Sequence, residues 1–209
     1  METLMSENNK VNKINKAFQK FSGRLFFLGG FMTEKEILNK HEIDNILVRL
    51  SFQIIEKVKD DKNFALVGIK RRGAILADRI AVIIEKFKNI KPLVGYLDIT
   101  LYRDDLTEIS EFPQLLGTEL NFDIKGKTII LIDDVIFTGR TVRAALDAII
   151  DYGRPKKIIF VALIDRGHRE LPIQPDFVGK FVPTNIEEKI NVKLHEIDET
   201  DSVTIEKRG

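Results

Sequence analysis

The stretch Ile129-Ile-Leu-Ile-Asp-Asp-Val-Ile-Phe-Thr-Gly-Arg-Thr141 decides the fold. Its apolar start reads as the end of a buried strand. Two adjacent carboxylates follow, and then a small turn enters the run Thr141 to Tyr152, which has helical spacing. Thr138, Gly139, Arg140 and Thr141 therefore fall where backbone N–H groups converge at a helix N-terminus. Gly139 permits the dihedrals of a tight anion nest, and the two threonine hydroxyls add donors. The positive end of the helix dipole favours a phosphate there. Asp133 and Asp134 would repel that phosphate, so they are placed to accept hydrogen bonds from sugar hydroxyls beside it. An Asp pair after a strand also serves as a capping and turn device. The complete string narrows the choice, because it lacks the Gly-x-Gly-x-x-Gly of a dinucleotide fold and the Gly-Lys-Thr of a nucleoside-triphosphate loop.

Working outward, Ile43, Ile46, Leu47, Leu50, Ile54, Ile55 and Val58 recur at helical intervals and predict an opening amphipathic helix. Phe64 to Ile69 is a short apolar run of the buried parallel-strand kind. Gly73 opens a second helix with Leu76, Ile80, Ile83, Ile84 and Phe87 inside. A strand is predicted from Leu93 to about Tyr102, followed by a long polar stretch to Asp123 of the length that marks a functional flap. Lys127 to Ile132 and Ile158 to Ile164 are further strands, with Gly153-Arg154-Pro155 stopping the helix between them. This alternation predicts an α/β fold, a mainly parallel central sheet with helices on both faces. The part after Asp165, with Pro172, Pro175 and Pro183, reads as a small irregular C-terminal cap.

Composition sets outer bounds. A chain of 209 residues with 44% hydrophobic content can bury one sizeable core, so one domain is expected over residues 32–209. Residues 1–31 are read as an N-terminal extension, disordered or preceding a functional start at Met32. Their basic residues and Leu25-Phe-Phe-Leu28 only loosely imitate a secretory signal. The absence of cysteine excludes thiolate chemistry and disulfides, and it suits a reducing compartment, with the cytoplasm as the default. A net charge of +1 gives no global field for a polyanion, so nucleic-acid binding would need a local patch. No apolar run approaches the roughly 20 residues of a membrane span.

The Asp-Asp and Thr-Gly-x-Thr string resembles the phosphoribosyl-pyrophosphate (PRPP) signature of type I phosphoribosyltransferases. Three further strings, Val67-Gly-Ile-Lys-Arg-Arg-Gly73, Leu97-Asp-Ile-Thr-Leu-Tyr-Arg-Asp-Asp-Leu106 and Leu163-Ile-Asp-Arg-Gly-His-Arg-Glu-Leu-Pro-Ile173, resemble the bacterial pyrimidine regulator/uracil phosphoribosyltransferase family. The similarity runs over roughly residues 33 to 207. It implies a type I phosphoribosyltransferase fold that joins uracil to PRPP, giving UMP and pyrophosphate. It further implies that Asp133 to Thr141, with Val135, Ile136 and Phe137 as spacers, bind PRPP. Lys70, Arg71, Arg72 and Gly73 would form the pyrophosphate loop, and Arg103 would lie on the flap. Arg166, with backbone around Ile190, would lie on the base side. Asp133, Asp134, Arg72 and Arg103 would carry catalysis, with Mg²⁺ held largely by substrate oxygens and water rather than by a dedicated protein site.

The same resemblance implies a homo-oligomer, dimer or higher, and binding of pyrimidine-operon leader RNA with UMP as the signal. His168, Arg169 and Lys180 match the family's RNA face, and Lys156 and Lys157 add charge nearby. The chain departs from the family at Gln174, where arginine is common, and at Val48 and Phe52, where polar or histidine residues are familiar. Arg71 stands where many relatives carry a small hydroxyl residue. The residues alone leave bland readings open. Lys70-Arg71-Arg72 could be a solvated basic turn, although the C-terminal end of a parallel strand is where such sheets bind ligands. Tyr102-Arg103-Asp104-Asp105 could be a polar loop start, and His168 a surface histidine with no metal. A purine or orotate phosphoribosyltransferase would keep the phosphate motif but should lose Asp165-Arg-Gly-His-Arg-Glu170.

Overall fold

The computed structural model describes residues 33–58, 63–102 and 117–207. The expectations for residues 1–31, and for Arg103 and most of the flap, lie outside them.

Chain entry is a strand that the sequence did not signal. Strand β1 (Thr33–Asn39) runs from the charged Glu34-Lys35-Glu36 into the apolar pair Ile37-Leu38, and Leu38 is buried. Helix α1 (Lys40–Val58) follows at once. Its start is a reciprocal cap, in which Asn39 N–H donates to Glu42 Oε2 at 2.9 Å and Glu42 N–H donates to Asn39 Oδ1 at 3.0 Å. Strand β2 (Phe64–Ile69), helix α2 (Arg72–Lys88) and strand β3 (Leu93–Leu97) form the first α/β unit. The strand predicted to reach Tyr102 ends at Leu97, because Asp98 Oδ1 accepts from the Thr100 N–H and hydroxyl and turns the chain into a 3₁₀ turn, Thr100–Tyr102.

Strand β4 (Thr128–Ile136), helix α3 (Arg140–Tyr152) and strand β5 (Lys157–Asp165) carry the deciding motif. Strand β6 (Phe177–Phe181) completes a five-stranded sheet of order β3-β2-β4-β5-β6, parallel throughout. Period-two alternation divides the sheet's side chains between two cores. Leu66, Ile130, Ile132, Ile159, Val161 and Leu163 pack with α1 and α2 on one face. Val67, Ile129, Leu131, Phe160 and Ala162 pack with α3 on the other.

The C-terminal cap is more regular than its prolines suggest. Strand β7 (Glu188–Lys193), the single-turn helix α4 (His195–Asp198) and strand β8 (Ser202–Lys207) follow β6. With β1 they make a three-stranded antiparallel sheet of order β1-β8-β7. The two ends of the described domain are thus sewn together by backbone hydrogen bonds across about 170 residues.

Candidate active site

All the binding elements emerge at the carboxyl ends of the parallel strands, the ligand side of such sheets. Strand β4 remains paired with β5 as far as Val135↔Ile164 and Ile136↔Asp165, so the two aspartates sit within a strand rather than a loop. Asp133 is 5% exposed, and its Oδ1 accepts the Asp134 N–H at 3.0 Å. Asp134 Oδ1 accepts the Val135 N–H at 2.9 Å. Burial pushes the Asp134 carboxyl above the usual carboxylate range, while the Arg72 guanidinium and these hydrogen bonds work to keep it charged.

The turn that follows is closely built. Gly139 has φ +94° and stands at the N-cap of α3, where no side chain caps the helix. The open N-terminal amides border a cavity of about 240 Å³ lined by residues 135–142 and Glu170. Thr138 Oγ1 accepts the Arg140 N–H at 3.3 Å, and the Thr138 carbonyl accepts the N–H groups of Glu170 and Leu171. Arg140 Nε donates to Glu170 Oε2 at 2.8 Å, so a carboxylate restrains the loop's own arginine at the cavity rim. The segment after β5 thereby holds the Thr138–Thr141 turn from outside. Glu170 belongs to a string quoted for other reasons, and nothing in its spacing announces this contact.

On the neighbouring strand, Lys70 N–H donates to the Leu97 carbonyl at 2.9 Å, and the Lys70–Arg71 peptide is cis. Lys70 Nζ pairs with Glu119 Oε1 at 2.7 Å. Glu119 itself bridges to Tyr96 on the edge of β3. Arg71 is exposed. Arg72 is half-buried and donates through Nη2 to both oxygens of Asp198, at 3.0 and 3.1 Å. Gly73 is buried against β4.

Arg166 is 7% exposed and works as a brace. It donates to Thr184 Oγ1 at 3.0 Å, to the Asn185 carbonyl at 3.1 Å and to the Glu188 carbonyl at 2.5 Å, and it lies 4.0 Å over the Phe137 ring. Desolvation lowers its pKa. It therefore fixes the loop entering β7, where the Ile190 side chain is buried in the core. His168 approaches the Thr184 carbonyl with Nε2 and meets Phe137 edge-on. Arg169 reaches inward to Asp165 Oδ2 at 2.6 Å and to three carbonyls, those of Phe137, Gly167 and Ile173. Lys180 Nζ donates to the Ile37 carbonyl at 3.2 Å. The structure thus brings the Asp pair, the phosphate turn and Arg72 together, and it engages all three residues matched to the RNA face in internal contacts.

Comparison with known proteins agrees with this geometry. The phosphoribosyl transferase domain family matches residues 33–197. A protein of Thermoanaerobacter pseudethanolicus named bifunctional protein PyrR is 54% identical over 170 residues, covering 81% of this chain and 96% of that one. Proteins of the same name from Latilactobacillus sakei and Thermus aquaticus are 51% and 53% identical over 175 residues, covering 83% of this chain and 98% and 97% of theirs. Among solved structures, a hypoxanthine phosphoribosyltransferase of Trypanosoma cruzi aligns with a TM-score of 0.63 at 13% identity, over 84% of this chain and 97% of that one. One from Staphylococcus aureus gives 0.59 at 20%, over 84% and 92%. These two establish the fold alone. The chain belongs to the phosphoribosyl transferase domain family and, within it, to the group of proteins named bifunctional protein PyrR.

Proposed function

We propose that this chain is a uracil phosphoribosyltransferase, forming UMP and pyrophosphate from uracil and PRPP. The observation that carries the reading is one strand, β4, delivering the buried Asp133 and the half-buried Asp134 directly into an open helix N-terminus that borders a cavity of about 240 Å³. Uracil N1 forms a bond to the ribose C1 and loses its proton while the bond from C1 to pyrophosphate breaks. Charge builds on the leaving group and the sugar becomes cationic, so positioning and electrostatics supply the catalysis. The Thr138 to Thr141 amides hold the 5′-phosphate, Asp133 and Asp134 hold the ribose hydroxyls, and Arg72 with Lys70 and Arg71 faces the pyrophosphate. Following the family resemblance, Arg103 is assigned to help exclude water, and Arg166 shapes the base side through the 184–188 loop.

Among the described residues no three His, Asp or Glu side chains gather as a metal cage. The acidic strand end beside a phosphate nest fits a Mg²⁺ ion that arrives on substrate oxygens. Such an ion would offset charge on the pyrophosphate, with Asp133 and Asp134 within its surroundings. We take the working unit to be residues 32–209, cytoplasmic and homo-oligomeric, following the family resemblance.

The relatives' shared name favours a second activity, which we assign to leader-RNA binding with UMP as the signal. His168 and Lys180, being exposed, suit that role better than the inward-turned Arg169.

The test is uracil-dependent pyrophosphate release with Mg²⁺, run beside adenine, hypoxanthine and orotate. Uracil-selective turnover is expected. Silence with every base, from protein that still binds PRPP or UMP, would overturn catalysis and leave a nucleotide-sensing RNA regulator.

A further inference from the structure

Two arginines on α2 reach the same short segment of the C-terminal cap. Arg72 and Arg79 are seven residues apart, two helical turns, and so share a face. Arg79 grips Glu196 through Nε at 2.9 Å and Nη2 at 2.6 Å, and Asp201 Oδ1 at 2.6 Å. Arg72 meets Asp198 between them. Asp198 is itself fixed, because its Oδ2 accepts the N–H of Leu194, whose side chain is fully buried.

We propose that Asp198 is a positioning residue for the pyrophosphate end of the site, acting through Arg72; the inference rests on the functional reading above. Three observations point this way. Asp198 engages only Nη2 of the guanidinium, so its grip leaves other donors to face a ligand. Arg72 Nε is buried with no hydrogen-bond partner among the described residues, so one donor of the guanidinium group is left without an acceptor there. The same guanidinium lies close enough to Asp134 to favour its charged form, so it stands between the PRPP strand and the cap. Without Asp198, Arg72 would collapse toward Asp134 and lose its aim at the pyrophosphate.

The experiment measures PRPP and UMP affinities by calorimetry with Mg²⁺, on the full chain and on Asp198→Asn, Asp198→Glu, Arg72→Ala and the Asp198→Asn/Arg72→Ala pair. Asp198→Asn is expected to weaken PRPP roughly tenfold or more. UMP, which lacks pyrophosphate, should change less than about twofold, a split that general damage to the fold would not produce. In the Arg72→Ala background Asp198→Asn should have no further effect, and Asp198→Glu, which keeps the charge, should recover part of the affinity. Unchanged PRPP affinity in Asp198→Asn, equal losses for PRPP and UMP, or additive losses in the pair would overturn the inference while leaving the function standing. A wild-type chain that binds no PRPP would overturn the functional reading and this inference with it.

Discussion

Gly73 and Ile132 are in such close contact that a Cβ on Gly73 would stand 2.4 Å from the Ile132 carbonyl oxygen. The start of α2 therefore rests on the backbone of β4 one residue before the Asp pair. This packing ties the Lys70–Gly73 turn to the strand that carries Asp133 and Asp134, and only a residue without a side chain permits it.

Gly73→Ala should accordingly shift α2 or β4, since the atom it meets is backbone. Overpacking of this kind costs about 1–3 kcal/mol. Thermal unfolding should register the loss, and KM for PRPP should rise together with it. A melting temperature and KM equal to wild type would show that the contact is not tight.

Asp134→Asn should lower turnover by far more than tenfold, because in the proposed reaction it removes the carboxylate acceptor for the ribose, and it alters the charge facing Arg72. Acid should act on the same group. Burial raises the Asp134 pKa above its ordinary 3.8, and the ionised form is the one that accepts hydrogen bonds, so kcat/KM falls as pH drops through a value higher than 3.8. A pH profile of the uracil reaction, compared with that of Asp134→Asn, checks both statements.

Asp201 predicts the opposite linkage for stability. Burial opposes its charge, but hydrogen bonds from Arg79, the His195 N–H and Lys40 outweigh that and hold its carboxyl down to about 2. The folded pKa lies below the unfolded 3.8, so the stabilisation is fully present above 3.8 and is lost as pH falls from there through about 2. Asp201→Asn should be less stable near neutral pH and less sensitive to acid within that window, measured by urea unfolding at a series of pH values.

The parallel sheet and the turn at Gly139 were legible because their signals are local. Ile129 to Thr141 carries apolar strand, carboxylates, turn and helix start in consecutive residues, so its local structure follows from its neighbours. Strands β1 and β8 escaped notice because each is short, and the strand that holds β1 is β8, about 170 residues away in sequence. Strand β6, Phe177-Val-Gly-Lys-Phe181, hid among prolines and shows no clean alternation. Asp198 lies 126 residues from Arg72, and no periodicity in either segment encodes their meeting. For Arg166 and Arg169, sequence likeness suggested contacts with ligands, whereas their guanidinium groups are directed into the protein.

That inward direction of Arg169 separates a structural role from a nucleic-acid role. Its side chain is 13% exposed and its partner Asp165 11%, and the two are joined at 2.6 Å. Asp165 Oδ1 also accepts the Gly167 N–H, so the pair organises the chain as it leaves β5. Arg169→Ala would leave a buried carboxylate without its cation and release three carbonyls, a class of loss worth about 3–5 kcal/mol. In a domain of this size that corresponds to a fall in melting temperature of roughly 6–20 °C. Lys180→Ala removes one exposed contact to the Ile37 carbonyl and should change stability by less than about 0.5 kcal/mol. If leader RNA binds this face, Lys180→Ala should weaken it and flatten its salt dependence by about one phosphate contact, with melting unchanged. Arg169→Ala should act on melting first. The reverse pattern, a stable Arg169→Ala protein that has lost RNA selectively, would place Arg169 at the RNA rather than in the fold.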